Sequence, residues 1–344
     1  NSLSAKQYEL KLIEIADEAR IAQPFKQTVS YVNVNSDDLN QASLDQHEYH
    51  ATIVSQYFKL SHSKHGHTNY LKWIGNFFTT ITNSPVIVYT DHVSLPELKQ
   101  IVSRTLNNEK ATKKSWLIRF VVVDNIWSVI KQLELDRQRN YVNNYLHGQT
   151  SLDPEKYSHN ANLYAIWNAK SFIMNHTVSS NWFRSKFFIY SDIGAFREFT
   201  LDEWPNVELI KQLQQWLNDR VLFGQPFRKL ADPLSSLTEY IQGGFFAGSA
   251  QAIQTFAKNF YDLHDTLIER NHFVGKDQKL MNMLTIDPDR KRSIVRLNPP
   301  IPYFKCIRNR DKWFFYQSYL ARPVDTRKCS KHGSKLSSDF LKQD

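Results

Sequence analysis

The sequence predicts an α/β fold: a mixed, mostly parallel sheet with helices on both faces. Three observations predict it. From about residue 50 onward, short apolar runs alternate with longer amphipathic segments, the pattern of strands joined by crossover helices. Three of the runs end in aspartate, at Asp91, Asp124 and Asp192. A chain of 344 residues with 41% hydrophobic and 13% aromatic residues can also bury a core of the size such a sheet needs.

The opening segment AKQYELKLIEIADEARIAQ (5–23) carries Leu10, Ile13, Ile15 and Ala19 at helical spacing and stops before Pro24, which predicts a helix. The polar stretch NVNSDDLNQASLDQHEYH (33–50) predicts a linker, so residues 1–49 form a lead-in or stem. ATIVSQYFKL (51–60) reads as a strand and YLKWIGNFFTTI (70–81) as a helix. PVIVYTD (85–91) and WLIRFVVVD (116–124) are β-branched strands ending in acids, each followed by a helical run. NLYAIWNAKSFIMNHTV (162–178) predicts a helix that leads into the strand starting at Lys186. YIQGGFFAGS predicts a strand with two glycines inside it, and a helix runs from Ala250 to about Glu269. No internal repeat is present. Residues 50–300 make up the main domain, and 301–344 a C-terminal extension with a basic tail.

If these strands are parallel neighbours, Asp91, Asp124 and Asp192 lie on one rim, outside the carboxyl ends of the strands where such sheets bind ligands. The formal charge of +9 is compatible with nucleic acid, a membrane surface or a phosphorylated small molecule. Its two clusters, DPDRKR (287–292) and the tail from Arg322 to Lys335, carry no recognisable nucleic-acid module, so no nucleic-acid partner is expected. GxxxxGK[ST], GxGxxG and GxSxG motifs are absent, which weighs against P-loop enzymes, dinucleotide dehydrogenases and α/β-hydrolases. HSKHGH (62–67) is either a metal-holding cluster or a solvated loop. Cys306 and Cys329 are either one disulfide or two unrelated thiols.

Asp192 follows the apolar run FFIY and precedes Ile193-Gly194. It either caps a turn or faces a ligand. Further along, GGFFAG opens the Ala250 helix, and GKDQKLMN puts Asp277 and Gln278 at a helix start. YTD (89–91), LYAIWNAKSFIM, YSDIG, GGFFAG and GKDQKLMN, in this order, resemble sugar-nucleotide-dependent glycosyltransferases of the GT-A fold, and among them the HtrL/YibB-type family. The resemblance spans roughly residues 50–290.

It implies a GT-A-like, Rossmann-like domain that transfers a sugar from a nucleoside diphosphate sugar to a glycan or glycoconjugate acceptor. A catalytically inactive binder of sugar nucleotide or glycan is the alternative. It further implies Mn²⁺ or Mg²⁺ bridging an acidic motif and the diphosphate. Asp192 matches the acidic motif, but as a single carboxylate in Ser191-Asp192-Ile193-Gly194. A second ligand would come from Asp277 or from His332 in KHGSK (331–335). By the same matching, Tyr89, Asp91, Lys170, Gly243, Gly244 and Lys335 are expected at the nucleotide sugar, with Lys170 and Lys335 on its phosphates. Asp277 is expected as acceptor contact or base, with Asp192 beside it. The disulfide alternative for Cys306 and Cys329 and the sequon Asn175-His176-Thr177 lead to an expected secretory (Golgi) lumen, with any membrane anchor lying before Asn1. The cytoplasm is the alternative.

Overall fold

The structure, a computed structural model, describes residues 11–15, 29–34, 48–60, 65–81, 83–106, 116–197, 204–227, 240–298, 312–321 and 341–342. The expectations for Cys306, Cys329, His332, Lys335 and the basic tail fall outside these residues.

Ten strands form one sheet in the order β1-β2-β5-β4-β3-β6-β8-β7-β9-β10. They are β1 (Lys11–Ile15), β2 (Val29–Val34), β3 (Ala51–Tyr57), β4 (Val86–Asp91) and β5 (Trp116–Val123). The rest are β6 (Phe187–Ser191), β7 (Val221–Gly224), β8 (Phe245–Gly248), β9 (Ile294–Leu297) and β10 (Leu341–Lys342). Strands β5, β4, β3 and β6 are consecutive parallel neighbours. Only β2, β8 and β10 run against them, so the sheet is mixed and mostly parallel.

Alternation along the parallel strands decides which helices cover which face. Ile53, Val88, Phe120 and Ile189 point into one core, shared with α1 (His67–Thr80), α2 (Leu95–Leu106), α5 (Val207–Leu217) and α8 (Phe315–Leu320). Val54, Ile87, Val121 and Tyr190 point into the other. That face is covered by α3 (Ile126–Arg137), α4 (Ala161–Ser180), α6 (Ala250–Glu269) and α7 (Asp277–Ile286).

Two expectations are corrected. The segment expected to be an N-terminal helix contains β1, antiparallel to β2, and β2 pairs with β5. Ile13 and Ile15 flank Glu14 with period two as well as fitting a helical stripe, and the edge of β2, itself paired with β5, offers the segment a ladder for its backbone groups. Second, Gly243 and Gly244 lie in the turn before β8 and not inside the strand. Segments with weaker patterns, such as β7 and β9, were not read from the sequence at all.

Candidate active site

The C-terminal ends of β4, β5 and β6 share one edge, as the aspartate endings predicted. The three acids nevertheless part company there. The Asp91 carboxylate accepts a hydrogen bond from the Ser94 amide at 2.7 Å and so caps the turn into α2. Asp124 is exposed. Tyr89 is buried, its hydroxyl bonded to His176 Nδ1 at 2.7 Å and Thr177 Oγ1 at 2.9 Å near the far end of α4. Burial, with Arg119 adding to it, lowers the His176 pKa to about 4, so that ring is neutral at physiological pH. Neither Tyr89 nor Asp91 lines the cavity described next.

A cavity of about 430 Å³ opens at the ends of β3 and β6. Its walls come from the end of β3 (Gln56 and Tyr57) and the segment after it (58–60), the start of α1, one face of α4, and Asp192–Gly194. Trp167 and Lys170 line it from α4, one helical turn apart, and Tyr70, Arg197 and Phe314 line the other side.

Lys170 is the centre of the site. It is 5% exposed, yet its ammonium donates to Gly243 O at 2.9 Å and lies 2.9 Å from Asp277 Oδ2 and 3.4 Å from Asp192 Oδ1. Two elements that are distant in sequence thus meet on one helical lysine. The hydrogen-bond ladder of α4 is interrupted beside it. The Tyr261 hydroxyl donates to Asn168 O at 2.6 Å and accepts from the Phe172 amide at 3.0 Å, standing where the helix's own hydrogen bond would be. Burial alone would push the Lys170 pKa down, but the Asp192 and Asp277 carboxylates outweigh it and hold it above the usual lysine value. Burial pushes the Asp277 carboxyl up against the pull of Lys170, and the Asp192 charge adds to the rise.

The two glycines are there because carboxylates approach them. A Cβ on Gly243 would lie 2.8 Å from both Asp277 oxygens, and one on Gly244 would lie 2.7 Å from Asp192 Oδ2. The paired motif is clamped from α7 as well. The Asn282 side chain accepts from the Ile241 amide at 2.9 Å and the Tyr240 amide at 3.3 Å, tying GKDQKLMN to the loop that carries the glycines. Substituting Gly243→Ala therefore destabilises the fold by about 1–3 kcal/mol, the usual range for overpacking. Gly244→Ala costs less, because the Asp192 side chain is 42% exposed and can swing aside. Urea unfolding of the two variants checks the difference.

The sequence-predicted set is thus brought together in part. Lys170, Asp192, Asp277, Gly243 and Gly244 converge, whereas Tyr89 and Asp91 stand apart. Within the set, only Lys170 and Asp192 line the cavity. Asp277, expected at the acceptor, is 3% exposed and turned towards Lys170. Lys170, expected at the diphosphate, directs its ammonium at three protein oxygens. Arg197 was missed, although it follows Asp192 in the same short segment, and so was Trp167, inside the IWNAK match.

The described residues do not fit a protein-held divalent ion. They contain no group of three or more His, Cys, Asp or Glu side chains able to hold a metal. Where a cation would bridge Asp192 and Asp277, the Lys170 ammonium already stands. His65 packs against Trp73 with ring centroids 5.1 Å apart, and His67 pairs with Glu97 at 2.7 Å, so neither helps build a metal cluster.

No protein-family model matches the sequence, and no curated protein is significantly similar to it. Among solved structures, the chain is similar to a 4-diphosphocytidyl-2C-methyl-D-erythritol synthase from Anaerococcus prevotii, at 12% identity and a TM-score of 0.33. The match covers 82% of this chain and 100% of that one. A likeness this distant carries no argument about chemistry.

Proposed function

We propose that the protein is a glycosyltransferase that moves a sugar from a nucleoside diphosphate sugar to a glycan or glycoconjugate acceptor. The observation that carries this reading is the convergence of the YSDIG, IWNAK, GGFFAG and GKDQ segments on one lysine, beside a cavity at the strand ends. In the reaction, the bond from the anomeric carbon to the diphosphate oxygen breaks and its electron pair leaves with the phosphate. The acceptor hydroxyl oxygen forms the new bond and gives up its proton.

Asp192 is the half-exposed carboxylate of the cluster facing the cavity, and we assign it the reacting role. It sits beneath the anomeric carbon in a retaining reaction, or takes the acceptor proton in an inverting one. Lys170 and Asp277 position it: the ammonium holds one Asp192 oxygen, and buried Asp277 holds the ammonium. Trp167 and Tyr70 offer flat apolar faces for a base or sugar ring.

The burial of Asp277 specifically favours the second reading, an inactive binder of sugar nucleotide or glycan, because it removes one carboxylate from the cavity. A secretory-lumen location goes with the first reading. The sequon lends it little support, since Thr177 is buried within α4 and bonded to Tyr89.

Thermal-shift screening against uridine, guanosine and cytidine nucleotides and their sugars tests both readings. A ligand at a hundred times its Kd stabilises the fold by about 2.7 kcal/mol. A shift with one base class is the expected result, and no shift with any sugar nucleotide or nucleotide sinks the donor-binding account.

A further inference from the structure

We propose that Arg197 anchors the phosphate groups of an anionic ligand in the cavity, and that this anchoring needs no divalent metal ion. Among the described residues, the cavity is lined by three lysine or arginine side chains: Lys59, Lys170 and Arg197. Lys170 is held by Asp192 and Asp277, and Lys59 lies 3.7 Å from Glu97. Arg197 has no carboxylate within ion-pair distance among the described residues.

Its guanidinium is nonetheless fixed in place. The central carbon lies 4.5 Å from the ring centre of Trp73 and 4.8 Å from that of Phe314. Its Nε donates one long hydrogen bond, 3.4 Å, to Gly194 O. The backbone beneath is pinned as well, because Asn76 Nδ2 donates to Phe196 O at 2.9 Å. Gly194 lets the Tyr70 ring pack close, where a Cβ would lie 3.2 Å from it. Two aromatic rings thus hold the charge without neutralising it, and among the described residues no side chain takes up the remaining guanidinium N–H groups. A planar fork of donors in this state matches a phosphate's oxygens.

The placement gives each cation of the site a different job. Lys170 is consumed in orienting Asp192, whereas Arg197 offers a charge that no carboxylate among the described residues compensates, the charge a diphosphate needs on arrival and on departure. The anchor itself requires only a phosphorylated ligand; that the ligand is a nucleotide sugar rests on the function proposed above.

Calorimetric titration with inorganic pyrophosphate in excess chelator tests it on the wild-type chain, Arg197→Gln and Arg197→Lys. Wild type should bind, and R197Q should bind at least about tenfold more weakly, the usual loss for a charged hydrogen-bond pair. R197K keeps the charge and much of the stem packing, so it should retain the wild-type Tm and still bind more weakly because the fork is gone. Wild-type binding that appears only when Mn²⁺ or Mg²⁺ is added would overturn the proposal. So would no binding at all, or equal affinity in the three proteins. A parallel titration with nucleoside diphosphates separates the two claims. Pyrophosphate bound through Arg197 with no nucleoside diphosphate bound keeps the anchor and removes the donor reading. Nucleoside diphosphate bound equally by wild type and R197Q does the reverse.

Discussion

Replacing Lys170 with Met should destabilise the protein by about 3–5 kcal/mol, the usual consequence of removing one partner from a buried ion pair. The thermal midpoint then falls by about 4–7 °C for a chain of this size. Lys170 is buried, and without it Asp277 keeps a carboxylate in the core with only the Gln278 amide to satisfy it. The pH dependence identifies the cause. In the folded state Asp277 titrates above its usual value, so it favours folding at low pH and costs stability as pH rises through the folded value. Removing Lys170 enlarges that shift, so the deficit of K170M should shrink as pH is lowered towards 5. In wild type, Lys170 titrates above its usual value, so its contribution is present below about pH 10.5 and is lost at more alkaline pH. Denaturant unfolding across pH 5–8 checks the first claim. A deficit that does not change with pH would mean that packing, and not the buried charge, is what the lysine supplies.

Replacing Asp192 with Asn should have the largest effect on activity and little on stability. The amide fills the same space beneath Gly244, and Lys170 keeps its pairing with Asp277. What disappears is the carboxylate facing the cavity, worth about 10²–10⁴ in rate if it moves the acceptor proton. Asp277→Asn should behave in the opposite way. It weakens the hold on Lys170 and lowers stability, with a smaller loss of activity, because Asp277 reaches the cavity only through the lysine. Measuring both rates and both unfolding curves separates a reacting carboxylate from a positioning one.

Much of this was legible in the sequence where local pattern and tertiary role coincide. Residues 86–90 and 118–123 are rich in β-branched side chains and buried, and both belong to strands of the parallel core. The endings at Asp91, Asp124 and Asp192 placed three acids on one edge, because β4, β5 and β6 run the same way. What the sequence could not carry is the direction each acid faces. Asp91 turns to its own chain at Ser94, and Asp277 turns inward to Lys170. Those choices depend on which backbone approaches, here the Gly243-Gly244 turn, and such long-range contacts leave no periodic trace. The N-terminal strand was misread for a related reason. Its residues fit two periods, and the edge of β2, paired in turn with β5, decided between them. Arg197 escaped notice because two aromatic rings from elements far apart in sequence, Trp73 and Phe314, give it its setting.

The central claim is that Asp192, oriented by Lys170, acts on a nucleoside diphosphate sugar in this cavity. Release of nucleoside diphosphate from a panel of nucleotide sugars, measured for wild type and Asp192→Asn side by side, tests it most directly. The predicted result is release from at least one donor by wild type, and a rate lower by about 100-fold or more in D192N at unchanged Tm. No release from any donor by wild type, or equal release by the two proteins, would contradict the claim.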